Sequence, residues 1–366
     1  MKIIFKEKID NFSKKGNELV KNCLAFAFKN PEIALSGIFY RKNYEDQKDI
    51  DKVVEPPALS PLLYPEERIE INRTKKRFKE QLKTFTRTID GNFKDDDLVN
   101  FKNNIKSVKI YYKKYSYRNF KGLYAPESNE ILLEKDYKDR TIYHELFHLA
   151  SNRGKIKDII FGGFRILSNK FISIGESLDE GYTDNLTYRY FFEEEGIDKK
   201  EVIVYPYEFL VSRALEYIVG QNKMEKLYLN ANLYQLIEEL KKYADKNYIE
   251  QFFKDFDFAT SKNINILTGP NANKSSFKKL CGCTNRISDF LLDIFYEKYH
   301  NEDDYEERLE EFKNILTMEL QKEYDSFNDD VGIIRYKKKE KRVTKYRITD
   351  DNYIDYYLSS KKSLTK

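Results

Sequence analysis

The sequence predicts an α+β, helix-rich fold with a small sheet packed beside one central helix. Three observations carry this. Amphipathic, charged segments at helical spacing dominate both ends of the 366-residue chain. Short β-branched and aromatic runs separated by turn residues cluster between 106 and 134. Immediately after them, two of the chain's three histidines fall four residues apart, His144 and His148, in the run HELFH.

In chain order, residues 1–105 read as a mostly helical N-terminal region. The apolar stretches 23–28 and 33–39 are too short to span a bilayer. Residues 55–64 (EPPALSPLLY), with three of the eight prolines, read as a connector. Residues 74–88 place Phe78, Leu82 and Phe85 on one helical face. The strands predicted next are 108–112 (VKIYY), 122–126 (GLYAP) and 130–134 (EILLE), with a turn at 127–129. A helix is expected from 139 to about 152, capped by Asp139, with Ile142, Leu146 and Leu149 on its buried side. Residues 155–174 read as a hairpin-like insertion. A second helix is expected to start near Ser177 or Asp179 and to stop at Glu193-Glu-Glu-Gly196. Two amphipathic helices should fill 204–245. Residues 261–366 form a C-terminal region with an acidic helix over 302–317 and a basic strand-like stretch over 333–348.

Composition narrows the function classes. Charged residues make up 34% of the chain, but 65 Lys+Arg against 61 Asp+Glu leave a net charge of only +4. That balance gives no ground for nucleic acid or an anionic membrane as the main partner. The basic stretch 337–347 is better read as a lysine-protected edge strand than as a nucleic-acid surface. Three cysteines, Cys23, Cys281 and Cys283, are too few for a disulfide framework, and no second pair completes a metal site around Cys281-Gly-Cys283. The start lacks the uninterrupted apolar core of a signal peptide, so a cytoplasmic protein is expected.

The HELFH spacing has a chemical reading. Residues i and i+4 lie on one helix face, so both imidazoles can reach one Zn²⁺. Glu145 projects beside them, placed as a general base for a metal-activated water. A catalytic zinc keeps an open position and needs a third protein ligand. No third histidine is near, so a carboxylate is expected, and 176–187 (ESLDEGYTDNLT) offers candidates on a second helix, Glu176 and Glu180 among them.

HELFH followed by a helix carrying Glu180-Gly-Tyr-Thr-Asp184 resembles the thermolysin-type zinc metallopeptidases, the gluzincins. The resemblance spans roughly 106–260 and implies a zincin-like catalytic domain there. It implies one zinc per chain, held by His144, His148 and Glu180, with Glu145 as catalytic base. It also implies Asp184 as hydrogen-bond partner of His144; residues 180 and 184 share a helix face, so spacing agrees. Substrate would lie as an added strand along a sheet edge, for which 130–134 is the candidate. The chain departs from the pattern in its long interval between His148 and Glu180 and in lacking an evident oxyanion-stabilising histidine. Tyr182, Tyr188, Tyr205 and His300 are the candidate oxyanion donors. The expected activity is zinc-dependent hydrolysis of a peptide or protein substrate, with Mn²⁺ or Co²⁺ as possible substitutes in vitro. The alternative is a zinc-retaining module that binds protein or nucleic acid without turnover; the presence of Glu145 favours the enzyme.

Overall fold

The structure is a computed structural model. It describes residues 68–70, 76–113, 121–156, 159–168, 173–267, 274–317, 320–321, 345–346, 349 and 351–364. The apolar stretches 23–28 and 33–39, the connector 55–64, Cys23 and most of the basic stretch 333–348 lie outside the described residues.

The chain opens with β1 (Arg68–Glu70) and α1 (Lys76–Asn92). A 3₁₀ turn (Asp95–Leu98) leads to α2 (Val99–Ser107). Then come β2 (Lys109–Lys113), β3 (Gly122–Ala125), β4 (Glu130–Leu133) and α3 (Asp139–Ser151), which carries HELFH. A meander follows: β5 (Asn152–Ile156), β6 (Ile159–Gly162), β7 (Arg165–Ser168) and β8 (Ser173–Ile174). Helices α4 (Glu176–Phe191), α5 (Lys199–Val202), α6 (Pro206–Val219), α7 (Gln221–Leu229) and α8 (Leu233–Leu240) come next. The chain closes with α9 (Lys246–Phe258), α10 (Ser261–Leu267), α11 (Lys274–Tyr299) and α12 (Tyr305–Leu316), the short pair β9 (Leu320–Gln321) and β10 (Lys345–Tyr346), and α13 (Asp351–Leu364). The architecture is therefore α+β and helix-rich. Among the described residues no helix is long and apolar enough to cross a membrane.

Two four-stranded sheets flank the HELFH helix. The first has the order β1-β2-β4-β3, with β2 and β4 parallel and the outer pairs antiparallel. The second is the antiparallel run β5-β6-β7-β8. The expected hairpin-like insertion is thus a full sheet. The expected edge strand at 130–134 is corrected: β4 is interior and buried at all four positions, and β3 is the outer strand. The physical reason is visible in EILLE. A continuous apolar run suits a strand covered on both faces, whereas an edge strand needs one tolerant side.

Helix α3 is buried from Ile142 to Ser151, well beyond the single apolar stripe that its spacing suggests. Ile142, Leu146 and Leu149 do enter the core, but Tyr143 and Phe147 are covered as well. Phe85 of α1 meets the Phe147 ring at 5.1 Å, and Tyr143 stacks on Phe191 of α4 at 4.1 Å. Asp139 does not cap the helix. Lys138 occupies the cap position, and the Asp139 carboxylate instead accepts from Arg77 and Gln81 of α1, each at 2.8 Å.

Helix α4 begins at Glu176, slightly before the expected start. Gly175 turns the chain with φ +75°, and the half-buried Asp257 carboxylate accepts the N–H groups of Gly175 and Ser177. The region 204–245 holds three helices instead of two, broken at Gly220 (φ +101°) and again at Ala231 (φ +50°). Helices α4 and α6 cross at Gly181, where a Cβ would lie 2.2 Å from the Glu208 carbonyl oxygen. Beside the crossing, Arg189 of α4 forms ion pairs with Glu216 of α6 and Glu225 of α7.

Two glycine substitutions should therefore have opposite signs. Gly181→Ala forces α4 off α6 and should destabilise the fold by about 1–3 kcal/mol. Gly91→Ala, in α1 with nothing within 4 Å of its added Cβ, should stabilise by about 0.5–1 kcal/mol. Urea unfolding of the two variants checks both.

Candidate metal centre

Helix α3 presents His144 and His148 one turn apart, and α4 packs against it and brings Glu180 to both. The His144 Nε2 and His148 Nε2 atoms are 3.1 Å apart. Glu180 Oε2 lies 3.1 Å from His144 Nε2 and 3.4 Å from His148 Nε2. Among the described residues these three side chains converge as potential ligands. Glu176 is exposed at the first residue of α4 and is not one of them.

Each imidazole is fixed from behind by a buried carboxylate. His144 Nδ1 donates to Asp184 Oδ1 at 2.9 Å. His148 Nδ1 lies 3.2 Å from Asp179 Oδ2. With both Nδ1 atoms holding a proton, both Nε2 atoms expose lone pairs to one point. Two lone pairs and a carboxylate oxygen facing one another repel unless a cation stands among them. Three atoms each about 2.05 Å from one centre, at tetrahedral angles, are about 3.3 Å apart. The observed spacings bracket that value, so the donor set fits a divalent metal of zinc's size.

The supporting carboxylates are themselves satisfied by backbone. Asp184 Oδ2 accepts the N–H groups of Val204 and Tyr205, each at 2.8 Å. Asp179 Oδ1 accepts the Phe164 N–H at 2.9 Å, at the turn between β6 and β7. Gly163 in that turn has φ +51°, and a Cβ there would lie 1.9 Å from Asp179 Oδ1. The meander is thus docked under His148.

Glu145 projects toward β3. Its carboxylate accepts the Tyr124 N–H, and Gly122 leaves it room, since a Cβ on Gly122 would come within 2.8 Å of Glu145 Oε1. Burial raises the Glu145 carboxyl above its ordinary range, opposed by the neighbouring imidazoles. Burial alone would also raise Glu180, but the charges of His148 and His144 outweigh it and hold Glu180 well below that range.

The candidate oxyanion donors separate clearly. The Tyr205 ring lies 5.9 Å from the His144 ring, and its hydroxyl is held well above its ordinary range by Glu180, burial, Asp184 and Glu145. It therefore stays protonated. Tyr182 is fully buried and donates to Glu216 Oε2 at 2.7 Å. Lys199 Nζ lies 5.4 Å from the Tyr188 ring, and the Tyr188 hydroxyl is raised above its ordinary range by burial and, less, by Glu193 and Asp198. His300 stacks on Tyr296 and donates through Nδ1 to the Tyr296 carbonyl at 2.8 Å. The hydrogen-bonding groups of Tyr182 and His300 are engaged elsewhere, which corrects their candidacy. Cys281 and Cys283 are buried free thiols on α11. Asp179 and Arg165, 3.8 Å apart, are site residues that sequence reasoning missed.

No family model matches the chain, and no curated protein or solved structure matches it.

Two outcomes are expected. Asp179→Asn and Asp184→Asn should each weaken metal binding about 10–100-fold, measured by competition with a chromophoric chelator. In the metal-free protein, burial alone would lower the His148 pKa, but Glu180 and Asp179 outweigh it and raise it from 6.5 to about 9. A folded value above the unfolded one means that the stabilisation is full below about pH 6.5 and is lost as pH rises through about 9. Chelator-treated protein should thus lose urea resistance across that window, and saturating metal should restore it at the alkaline end.

Proposed function

We propose that the protein is a zinc-dependent hydrolase of peptide bonds with a zincin-like, gluzincin-type catalytic domain. The observation that supports it most is the mutual spacing of His144 Nε2, His148 Nε2 and Glu180 Oε2, with Glu145 between that cluster and the outer strand β3. His₂Glu ligation is a catalytic zinc donor set, and a zinc bound there would acidify a water and polarise a substrate carbonyl.

The chain's own residues supply the rest. An extended peptide adds to the outer edge of β3, which brings its backbone past Glu145. Glu145, raised by burial, accepts the proton of the attacking water and passes it to the leaving amine. The protonated Tyr205 hydroxyl donates to the oxygen that gains charge as the carbonyl is attacked. Asp184 serves twice, orienting His144 through one oxygen and holding the Tyr205 backbone through the other. Asp179 orients His148.

The test is elemental analysis for zinc together with a mixed-peptide cleavage assay. Wild type should carry one zinc per chain and cleave. Glu180→Ala should lose zinc, and Glu145→Gln should keep it while cleavage falls below detection. Tyr205→Phe should keep zinc and lower kcat about 10²–10³-fold, with KM little changed. Absence of zinc from reconstituted wild type would refute the reading; zinc without cleavage of any peptide would favour a binding module.

A further inference from the structure

Tyr124 stands at the centre without a part in the proposed chemistry. Its placement follows from strand geometry. The Lys121 carbonyl accepts the Glu134 N–H at 2.9 Å, and Gly122 pairs with Leu133 in the same antiparallel register. Backbone groups alternate in direction along such a pair. Lys121, Leu123 and Ala125 therefore turn theirs toward β4, while Gly122 and Tyr124 turn theirs to the outer edge. Side chains alternate as well, so Gly122 and Tyr124 share the face that meets α3. Gly122 leaves the gap that Glu145 fills, and the Tyr124 N–H faces the Glu145 carboxylate.

The far end of Tyr124 is tied to the same helix. Its side chain is almost fully buried, and its hydroxyl accepts from Asn152 Nδ2 at 2.7 Å and donates to Asn129 Oδ1 at 3.0 Å. Asn152 is the residue that ends α3. Asn129, in the turn after β3 with φ +52°, donates to the Asn104 carbonyl at 2.8 Å and to Ser107 Oγ at 2.9 Å. Asn104 of α2 donates to the carbonyls of Leu149 and Asn152, at 2.9 Å and 2.6 Å. One phenol and three amides thus join β3, the turn after it, α2 and the end of α3. A pocket of about 10 Å³, room for about one water, lies between Tyr124, Asn152, His148, Arg165 and Asp179. No substrate group fits there to compete with the network.

The reacting groups sit on two separate elements. Helix α3 carries the histidines and Glu145, and β3 would carry the peptide. Their mutual offset decides whether a scissile carbonyl meets Glu145 and the metal at reacting distance. An error of about 1 Å in such an offset costs about 10²-fold in rate. Apolar packing is non-directional, whereas a hydrogen bond fixes distance and angle together.

We infer that Tyr124 is a positioning residue: its hydroxyl pins β3 to the C-terminal end of α3 and thereby sets the offset of the substrate-bearing edge from Glu145. This rests on the proposed peptide chemistry for its catalytic consequence.

The experiment uses Tyr124→Phe, which removes the pin and keeps the buried ring. Tyr357→Phe is the matched control, since it removes a hydroxyl bonded to Asp293 Oδ1 at 2.8 Å, between α13 and α11. Hydrogen exchange is followed on the zinc-loaded proteins, and kinetics on the peptide that wild type cleaves best. In Tyr124→Phe, the segment 121–126 should exchange about threefold faster or more, with zinc content and the exchange of α3 unchanged. Its kcat should fall about tenfold or more, with KM within about threefold of wild type. Asn152→Ala breaks the same hydrogen bond from the other partner and should show the same split. Tyr357→Phe should lower the unfolding midpoint and leave kcat unchanged, which is all that a merely structural hydroxyl would do. Wild-type exchange at 121–126 in Tyr124→Phe would overturn the inference whatever the cleavage result. Unchanged kcat in a protein that cleaves would also overturn it and leave the hydrolase reading standing. Faster exchange confined to 121–126, in a protein whose wild type cleaves no peptide, would remove the hydrolase reading and leave the pin.

Discussion

Two buried histidine–carboxylate pairs, His144 with Asp184 and His148 with Asp179, are the constraint around which the centre is built. Asp179 and Asp184 are almost fully buried, and a carboxylate in such a place must be met by donors on its free oxygens. Meeting that demand recruits distant chain. Asp184 draws in the backbone of Val204 and Tyr205, which sets where α6 begins and where the Tyr205 ring stands. Asp179 draws in the β6–β7 turn, which needs a glycine at 163 because the carboxylate occupies the space of a side chain. Three otherwise separate segments, HELFH, the meander and the loop before α6, are thereby tied to the two adjacent turns of α4.

What was legible in the sequence followed one rule, that residues four apart share a helix face. It paired His144 with His148 and Glu180 with Asp184, and the structure brings those four together. The same rule concealed Asp179. It is next to Glu180, about 100° around the helix, and the spacing rule gave it no role beyond a possible helix start. In the structure His144 meets Glu180 and Asp184, whereas His148 meets Asp179 and Glu180. Which residues of α4 each histidine meets belongs to packing, and no local spacing encodes it. The edge strand escaped for a related reason: EILLE is the more hydrophobic run, and hydrophobicity marks the centre of a sheet. Tyr205 was one of 29 tyrosines with nothing local to distinguish it; what selects it is a backbone hydrogen bond to an aspartate 21 residues earlier.

The meander had read as an insertion that lengthens the interval between His148 and Glu180. Its position gives that length a purpose. It lays Gly163 and Phe164 against Asp179, and it brings Arg165 near both Asp179 and the pocket. Support of His148 and part of the lining of the pocket therefore come from one hairpin. A change that shifted this turn would alter ligand orientation and pocket shape together.

The charge of the centre completes the argument. Glu145, Glu180, Asp179 and Asp184 are four carboxylates around two imidazoles, and Arg165 offsets only part of that charge. In the metal-free protein the balance is made by protons: His144 is pushed well above its ordinary value and His148 to about 9, as their carboxylate partners outweigh the burial that would lower them. Each Nδ1 is committed to Asp184 or Asp179, so an added proton and a metal ion would compete for the same Nε2 atoms. Metal uptake should therefore release protons, and metal affinity should fall as pH is lowered.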